Sequence, residues 1–179
     1  VRDGKLVITA RKESYEGADV TSARIKTLDK VTFLYGYVVA SIKLPKTADG
    51  LWPAFWMMGN DITELGWPNC GETDVLEMGH ADGIKAGTQE QFLNGACHWG
   101  VPHHQFHANH ITHDYSVEDG EFHTYTCIWD EEYIRMYIDL EKRPSAAPYF
   151  EMKIEDFGNG EFRKDNFILF NLAVGGNFP

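Results

Sequence analysis

Residues 71 to 80 read GETDVLEMGH and place Glu72, Asp74 and Glu77 within six positions, beside apolar Val75, Leu76 and Met78. Carboxylates this close can act as acid and base on a glycosidic bond, coordinate a hard cation such as Ca²⁺, or sit on a solvated charged edge. In a regular strand Glu72 and Asp74 share a face, and the next place on that face falls to Leu76. A β-bulge, one extra residue in the strand, brings Glu77 onto the carboxylate face and returns Leu76 to the core. With the bulge discounted, Glu72 and Glu77 stand about four strand steps apart, roughly 13 Å between Cα atoms. Leaning side chains close their carboxyl groups to roughly 5 to 6 Å, near the ~5–5.5 Å used in retaining glycoside hydrolysis. The spacing permits this chemistry without requiring it.

Strands must do the positioning, because alternation dominates the chain. YVVASIKL at 37 to 44 sets Val38, Ala40, Ile42 and Leu44 on one face. Strands are also expected at 5 to 10 (KLVITA), 20 to 27 (VTSARIKT), 71 to 78, 92 to 99 (FLNGACHW), 122 to 129, 133 to 138 and 167 to 174. Gly and Pro punctuate the intervals, Pro102 among them. The nearest approach to a helix is KIEDFGNG at 153 to 160, which two glycines end. Many short strands with such turns predict an all-β, two-sheet antiparallel sandwich of the jelly-roll kind.

Composition narrows the partners. At 179 residues the chain is long enough for one domain with a sizeable core. Its formal net charge of −11 argues against nucleic acid, whose binding needs Lys and Arg to displace counterions. A neutral substrate carries no such penalty. No run of 18 apolar residues spans a membrane, and VRDGKLVITA has no signal-peptide pattern. Cys70, Cys97 and Cys127 are an odd count without CxxC spacing, which reads as free buried thiols. Aromatics make up 13% of residues, and their flat faces suit sugar rings as well as cores.

The ETDVLE strand resembles the active-site motif of glycoside hydrolase family 16, in the bulged form found among laminarinases (endo-β-1,3-glucanases). TSARIKT at 21 to 27, YGYVVASIKLP at 35 to 45, GLWPAFWMMGN at 50 to 60, GWP at 66 to 68, ACHWG at 96 to 100, FHTYTCIWDEEYIRMYID at 122 to 139 and NLAVGGNFP at 171 to 179 resemble family segments in the family's order. The resemblance covers nearly the whole chain. It implies one catalytic domain over 1–179 with a concave substrate cleft, lacking N- and C-terminal strands that similar domains carry.

The resemblance also implies roles. Glu72 is the expected nucleophile and Glu77 the general acid, later the base. Asp74 lies between them, sharing a proton with Glu72 and helping by like-charge repulsion to keep Glu77 protonated. Trp56 and Trp67 are expected sugar platforms, with Trp52 a third. Arg24 and Asn60 match hydrogen-bonding residues on the non-reducing side of the scissile bond. His98 is expected to contact the sugar or the nucleophile's neighbour, and Asn171 to face the cleft.

A rival reading comes from His98, His103, His104, His107, His110 and His113, which invite a zinc site. Pro102 and its surroundings read as strand and loop rather than the helix that H-x-x-x-H ligation needs, and HExxH is absent. A second rival is a non-catalytic β-glucan-binding module on the same fold. The resemblance implies no cofactor in catalysis and leaves a structural Ca²⁺ on the convex face as an open question, with no metal ligand assigned. It further implies a monomer that acts on β-glucan polysaccharide or oligosaccharide and is secreted or held at the cell surface. Laminarin-type β-1,3-glucan is the expected substrate and mixed-linkage β-1,3-1,4-glucan the alternative, with the 101 to 120 stretch expected as a loop that shapes the cleft.

Overall fold

The computed structural model describes residues 1–47, 50–100, 103–155 and 158–179. A ribbon of β1 (Arg11–Tyr15) and β2 (Ala18–Thr21) precedes β3 (Arg24–Lys26) and β4 (Gly36–Ile42). The middle of the chain supplies β5 (Leu51–Gly59), β6 (Glu72–Glu77), β7 (Phe92–Trp99) and β8 (Gln105–Thr112). Two short helices, α1 (Ile62–Leu65) and α2 (Ala81–Ala86), flank β6. The rest forms β9 (His123–Trp129), β10 (Tyr133–Ile138), β11 (Phe150–Lys153) and β12 (Asn166–Val174).

Two antiparallel sheets stack as the alternation predicts. One runs β11-β10-β9-β4 and the other β3-β12-β5-β6-β7-β8. Phe55, Leu76 and Leu93 from the larger sheet meet Tyr125, Met136 and Phe150 from the smaller, and all six are buried. Each large apolar side chain removed from water in this way contributes ~1.5–3 kcal/mol. Val38, Ala40 and Ile42 of β4 pack against the same core from one face, as expected. The three cysteines are free and buried, and burial pushes the thiol of Cys70 up to about 11 and that of Cys127 up to about 12.

Several expected elements differ. Residues 5 to 10 alternate but form no strand: beyond an isolated Arg2–Lys5 bridge, nothing among the described residues pairs with them, and Leu6 and Val7 stay exposed. Alternation supplies a face, not a neighbour. The expected strand 20 to 27 is two strands, because Ser22 breaks the run by donating its hydroxyl to the Leu172 carbonyl at 2.5 Å. That bond marks where the chain passes from the ribbon to β12's side. The 101 to 120 stretch is not all loop, since 105–112 is edge strand β8. Around KIEDFGNG, β11 ends at Lys153 and a 3₁₀ turn occupies Gly160–Arg163, while residues 156 and 157 lie outside the described residues. Pro102 lies outside them too.

The bulge in β6 is present. Trp56 pairs with Asp74 and Phe55 with Leu76, so Val75 is the extra residue. Its carbonyl, pulled out of the ladder, accepts the hydroxyl of buried Tyr149 from the opposite layer. The approach is close enough that Gly95 on β7 has no room for a side chain: a Cβ there would sit 2.8 Å from Met136 Sδ and 3.0 Å from Tyr149 Cε2. Tyr149→Phe leaves the Val75 carbonyl buried and unpaired, and it is expected to cost ~1–3 kcal/mol in urea unfolding. An unchanged midpoint would mean that the bulge holds without this bond.

Candidate active site

Pairing across the larger sheet arranges its outer face in rows. The first row runs Met58, Glu72, His98, the second Trp56, Asp74, Ala96, and the third Ala54, Glu77, Asn94, from β5 through β6 to β7. The bulge makes this possible, because without the extra Val75 the third row would present Leu76 in place of Glu77. All three carboxylates line one cleft of about 350 Å³. Arg24, Trp56 and Asn171 line its β3 side, and Trp52 and Trp67 flank it.

Each carboxylate has its own partners. Glu77 accepts from Trp52 Nε1 at 3.0 Å and from Asn94 Nδ2 at 2.9 Å. Asp74, the deepest, faces His98 Nε2 at 3.4 Å. Glu72 is hydrogen-bonded by the Trp67 side chain. The His98 ring is oriented in turn by His104, at 3.0 Å between Nδ1 and Nε2.

Burial raises all three acids, and neighbouring carboxylates raise Glu72 and Asp74 further. Burial first, then the neighbouring Asp74, pushes Glu72 up to about 8, against the opposing pull of His98. Asp74 is raised well above the carboxylate range by burial and by Glu77. Glu77 is raised by burial, while its bonds from Asn94 and Trp52 pull the other way. The cleft therefore holds protons at neutral pH, and the charged trio opposes folding.

The residues expected to face sugar fall into two groups. Trp67 is 49% exposed and presents an open ring, beside a cis Trp67–Pro68 peptide. Trp56 is only 8% exposed: it packs on Phe167 and Leu169, donates Nε1 to Asn171 Oδ1 at 2.8 Å and lies under Arg24, 5.1 Å from guanidinium to ring. It is cleft floor more than open platform. Trp52 stacks on Phe178 at 4.5 Å while donating to Glu77. Asn60 is not among the residues lining the cleft, and its Oδ1 is buried without a hydrogen-bond partner among the described residues. Asn94 escaped notice in the sequence, although alternation in FLNGACHW puts it on the face of His98. Phe178 carried no periodic signal at all.

Of the histidines behind the zinc reading, His98 and His104 meet, while the next three point to separate partners. His107 reaches the Glu151 carbonyl, His110 stacks on Phe92 and His113 lies against Tyr115. Among the described residues the one cluster with metal-ligand character is Glu72, Asp74 and His98, whose donor atoms lie within 4.8 Å of one another, inside the carboxylate site itself.

A two-sheet sandwich with three carboxylates on its open face, two of them buried and the third half-buried, edged by tryptophans, defines a carbohydrate-active class of protein. The profile of Glycosyl hydrolases family 16 matches residues 1–149, and the chain belongs to that family. It is 34% identical to the clotting factor G alpha subunit of Tachypleus tridentatus, over 100% of this chain and 24% of that protein. It is 33% identical to glucan endo-1,3-beta-glucosidase A1 of Niallia circulans, over 99% of this chain and 27% of the relative. The chain thus spans about a quarter of the length of these two relatives. It superposes with TM-score 0.81 and 41% identity on a Bacteroides ovatus mixed linkage glucan GH16 solved in complex with a G4G4G3G product, covering 89% of this chain and 64% of that one. No helix of the described residues is long and apolar enough to cross a membrane.

A carboxyl group with a folded-state pKa above its unfolded value favours folding when protonated, and that contribution is lost as pH rises from about 4.5 through about 8 for Glu72. Glu72→Gln removes the penalty. It is expected to raise the melting temperature at pH 8 by about 2–8 °C, the span that ~1–2 kcal/mol produces at this size, and to change it little at pH 4. Equal shifts at both pH values would place the cause elsewhere.

Proposed function

We propose that the chain is a retaining, endo-acting glycoside hydrolase that cleaves β-1,3-glucan by double displacement. The observation that carries this reading is the bulged strand that sets Glu72, Asp74 and Glu77 in three successive rows of one cleft. Glu77 gives its proton to the glycosidic oxygen as the Glu72 carboxylate attacks the anomeric carbon, forming a glycosyl ester and releasing the first sugar fragment. Glu77, now a carboxylate, takes a proton from water, and the hydroxide so formed displaces Glu72. Asp74, the deepest acid, carries the second proton, which frees Glu72 to ionise under the Trp67 hydrogen bond and the His98 field. Side chains named here carry every step.

A neutral glucan suits a chain of net charge −11 better than a sulfated galactan does. The Niallia relative, named for endo-1,3 cleavage, supports laminarin as substrate. The Bacteroides neighbour, solved with a mixed-linkage product, favours β-1,3-1,4-glucan as the second reading. Action on such polymers suits a protein held outside the cell or on its surface.

Reducing-end release from laminarin, mixed-linkage β-glucan, agarose and carrageenan tests the reading. Laminarin is expected to be cut fastest, with β-configured product first by NMR and kcat at least about 10³-fold lower in Glu72→Gln. Product appearing first as the α-anomer, or no release by folded protein, would sink it. Asn cannot compete with Glu72 for the negative charge of the site, so in Asp74→Asn the Glu72 pKa is expected to fall and the acidic limb of the pH-rate profile to move to lower pH. A limb that stays in place assigns that titration to another group.

A further inference from the structure

Asp74 is buried without a donor. It is only 5% exposed, yet among the described residues its carboxylate makes no hydrogen bond, and its one polar contact is His98 Nε2 at 3.4 Å. A charge-assisted bond between such groups runs ~2.7–2.9 Å, so a proton does not close this gap well. Buried carboxylates are ordinarily satisfied by donors or by a cation. Glu72 completes a group: one ligating atom from each of Glu72, Asp74 and His98 lies within 4.8 Å of the other two.

These separations fit a small dication. Two ligands on a tetrahedral centre with bonds of ~2.0–2.2 Å stand ~3.4 Å apart, and Asp74 Oδ2 and His98 Nε2 already have that spacing. Glu72, on a long side chain, needs to bring its oxygen in by no more than about 1.5 Å. The neighbours suit the same role. His104 Nε2 lies 3.0 Å from His98 Nδ1, and the His98 tautomer that donates there turns the lone pair of Nε2 toward Asp74. A fourth position opens into the cleft, where water enters. One imidazole and two carboxylates are too few and too mixed for Ca²⁺ or Mg²⁺, which surround themselves with oxygens. They match Zn²⁺ or a neighbouring d-block dication.

We propose that Glu72, Asp74 and His98 form a reversible inhibitory site for Zn²⁺ or a similar d-block dication, held in the cleft where the reacting sugar would lie. The ion takes the lone pair with which Glu72 attacks and neutralises carboxylates that otherwise repel one another. Glu77 stays outside the site, held by Trp52 and Asn94. The inhibition rests on the hydrolase reading above; the metal site does not.

The test separates the two. Tag-free chain stripped with EDTA is titrated at pH 7 with zinc chloride by calorimetry, with calcium and magnesium chloride in parallel. One Zn²⁺ per chain is expected, bound at least about 100-fold more tightly than Ca²⁺ or Mg²⁺. His98→Gln and His104→Ala, each shown folded by its melting curve, are expected to weaken Zn²⁺ at least about tenfold. His110→Ala, a histidine engaged with Phe92 instead, is expected to bind as wild type. No saturable binding, or binding lost in His110→Ala and kept in His98→Gln, overturns the site. With laminarin as substrate, the same Zn²⁺ concentrations are expected to raise KM with kcat held, and EDTA to reverse the effect. Full hydrolysis at saturating Zn²⁺ removes the ion from Glu72 and overturns the inhibitory role. Zinc held through His98 by a folded chain that hydrolyses no polymer supports the metal site and fails the hydrolase reading alone.

Discussion

One displaced peptide organises this molecule. The Val75 carbonyl leaves the β6 ladder and is recovered by the Tyr149 hydroxyl from the facing layer. A strand with strict two-residue periodicity cannot place Glu72, Asp74 and Glu77 on one face while keeping Leu76 in the core. One extra residue reconciles the two demands. The sandwich supplies the remaining condition, since Gly95 lets the second layer come near enough for Tyr149 to reach.

The carboxylate rows then couple chemistry to stability. Three acids in one cleft repel one another and are kept from water, so each is easier to protonate than in solution. The hydrogen bonds around them are unequal. Glu77 accepts two side-chain donors, Glu72 the Trp67 side chain, and Asp74 faces an imidazole. The proposed reaction uses such inequality to divide the tasks of acid, reservoir and nucleophile among three similar groups.

Much of this was legible in the sequence, for reasons that differ between segments. β7 and β10 were read with the bounds they have, because each alternates and ends at a turn residue. The bulge was legible from the misplacement of Glu77 relative to Leu76. β5 was harder: LWPAFWMMG is apolar on both faces, since Phe55 and Met57 enter the core while Trp56 enters the small cluster beneath Arg24, and Pro53 discourages a strand assignment. β8 hid behind its histidines, which are exposed and carry no hydrophobic period. Pairwise facts such as Asn94 on Glu77 or Phe178 on Trp52 depend on register between distant segments, which composition does not encode.

The cysteines carry a practical consequence. All three thiols of the chain are free, sealed in the interior and held protonated by burial. Thiol reagents need a thiolate and an open approach, and neither exists at these positions in the folded protein. A cysteine introduced on the surface would be the sole reactive thiol under native conditions, with no background to remove by mutation. One dye or spin label beside the cleft would then report on its occupancy in the otherwise unaltered chain.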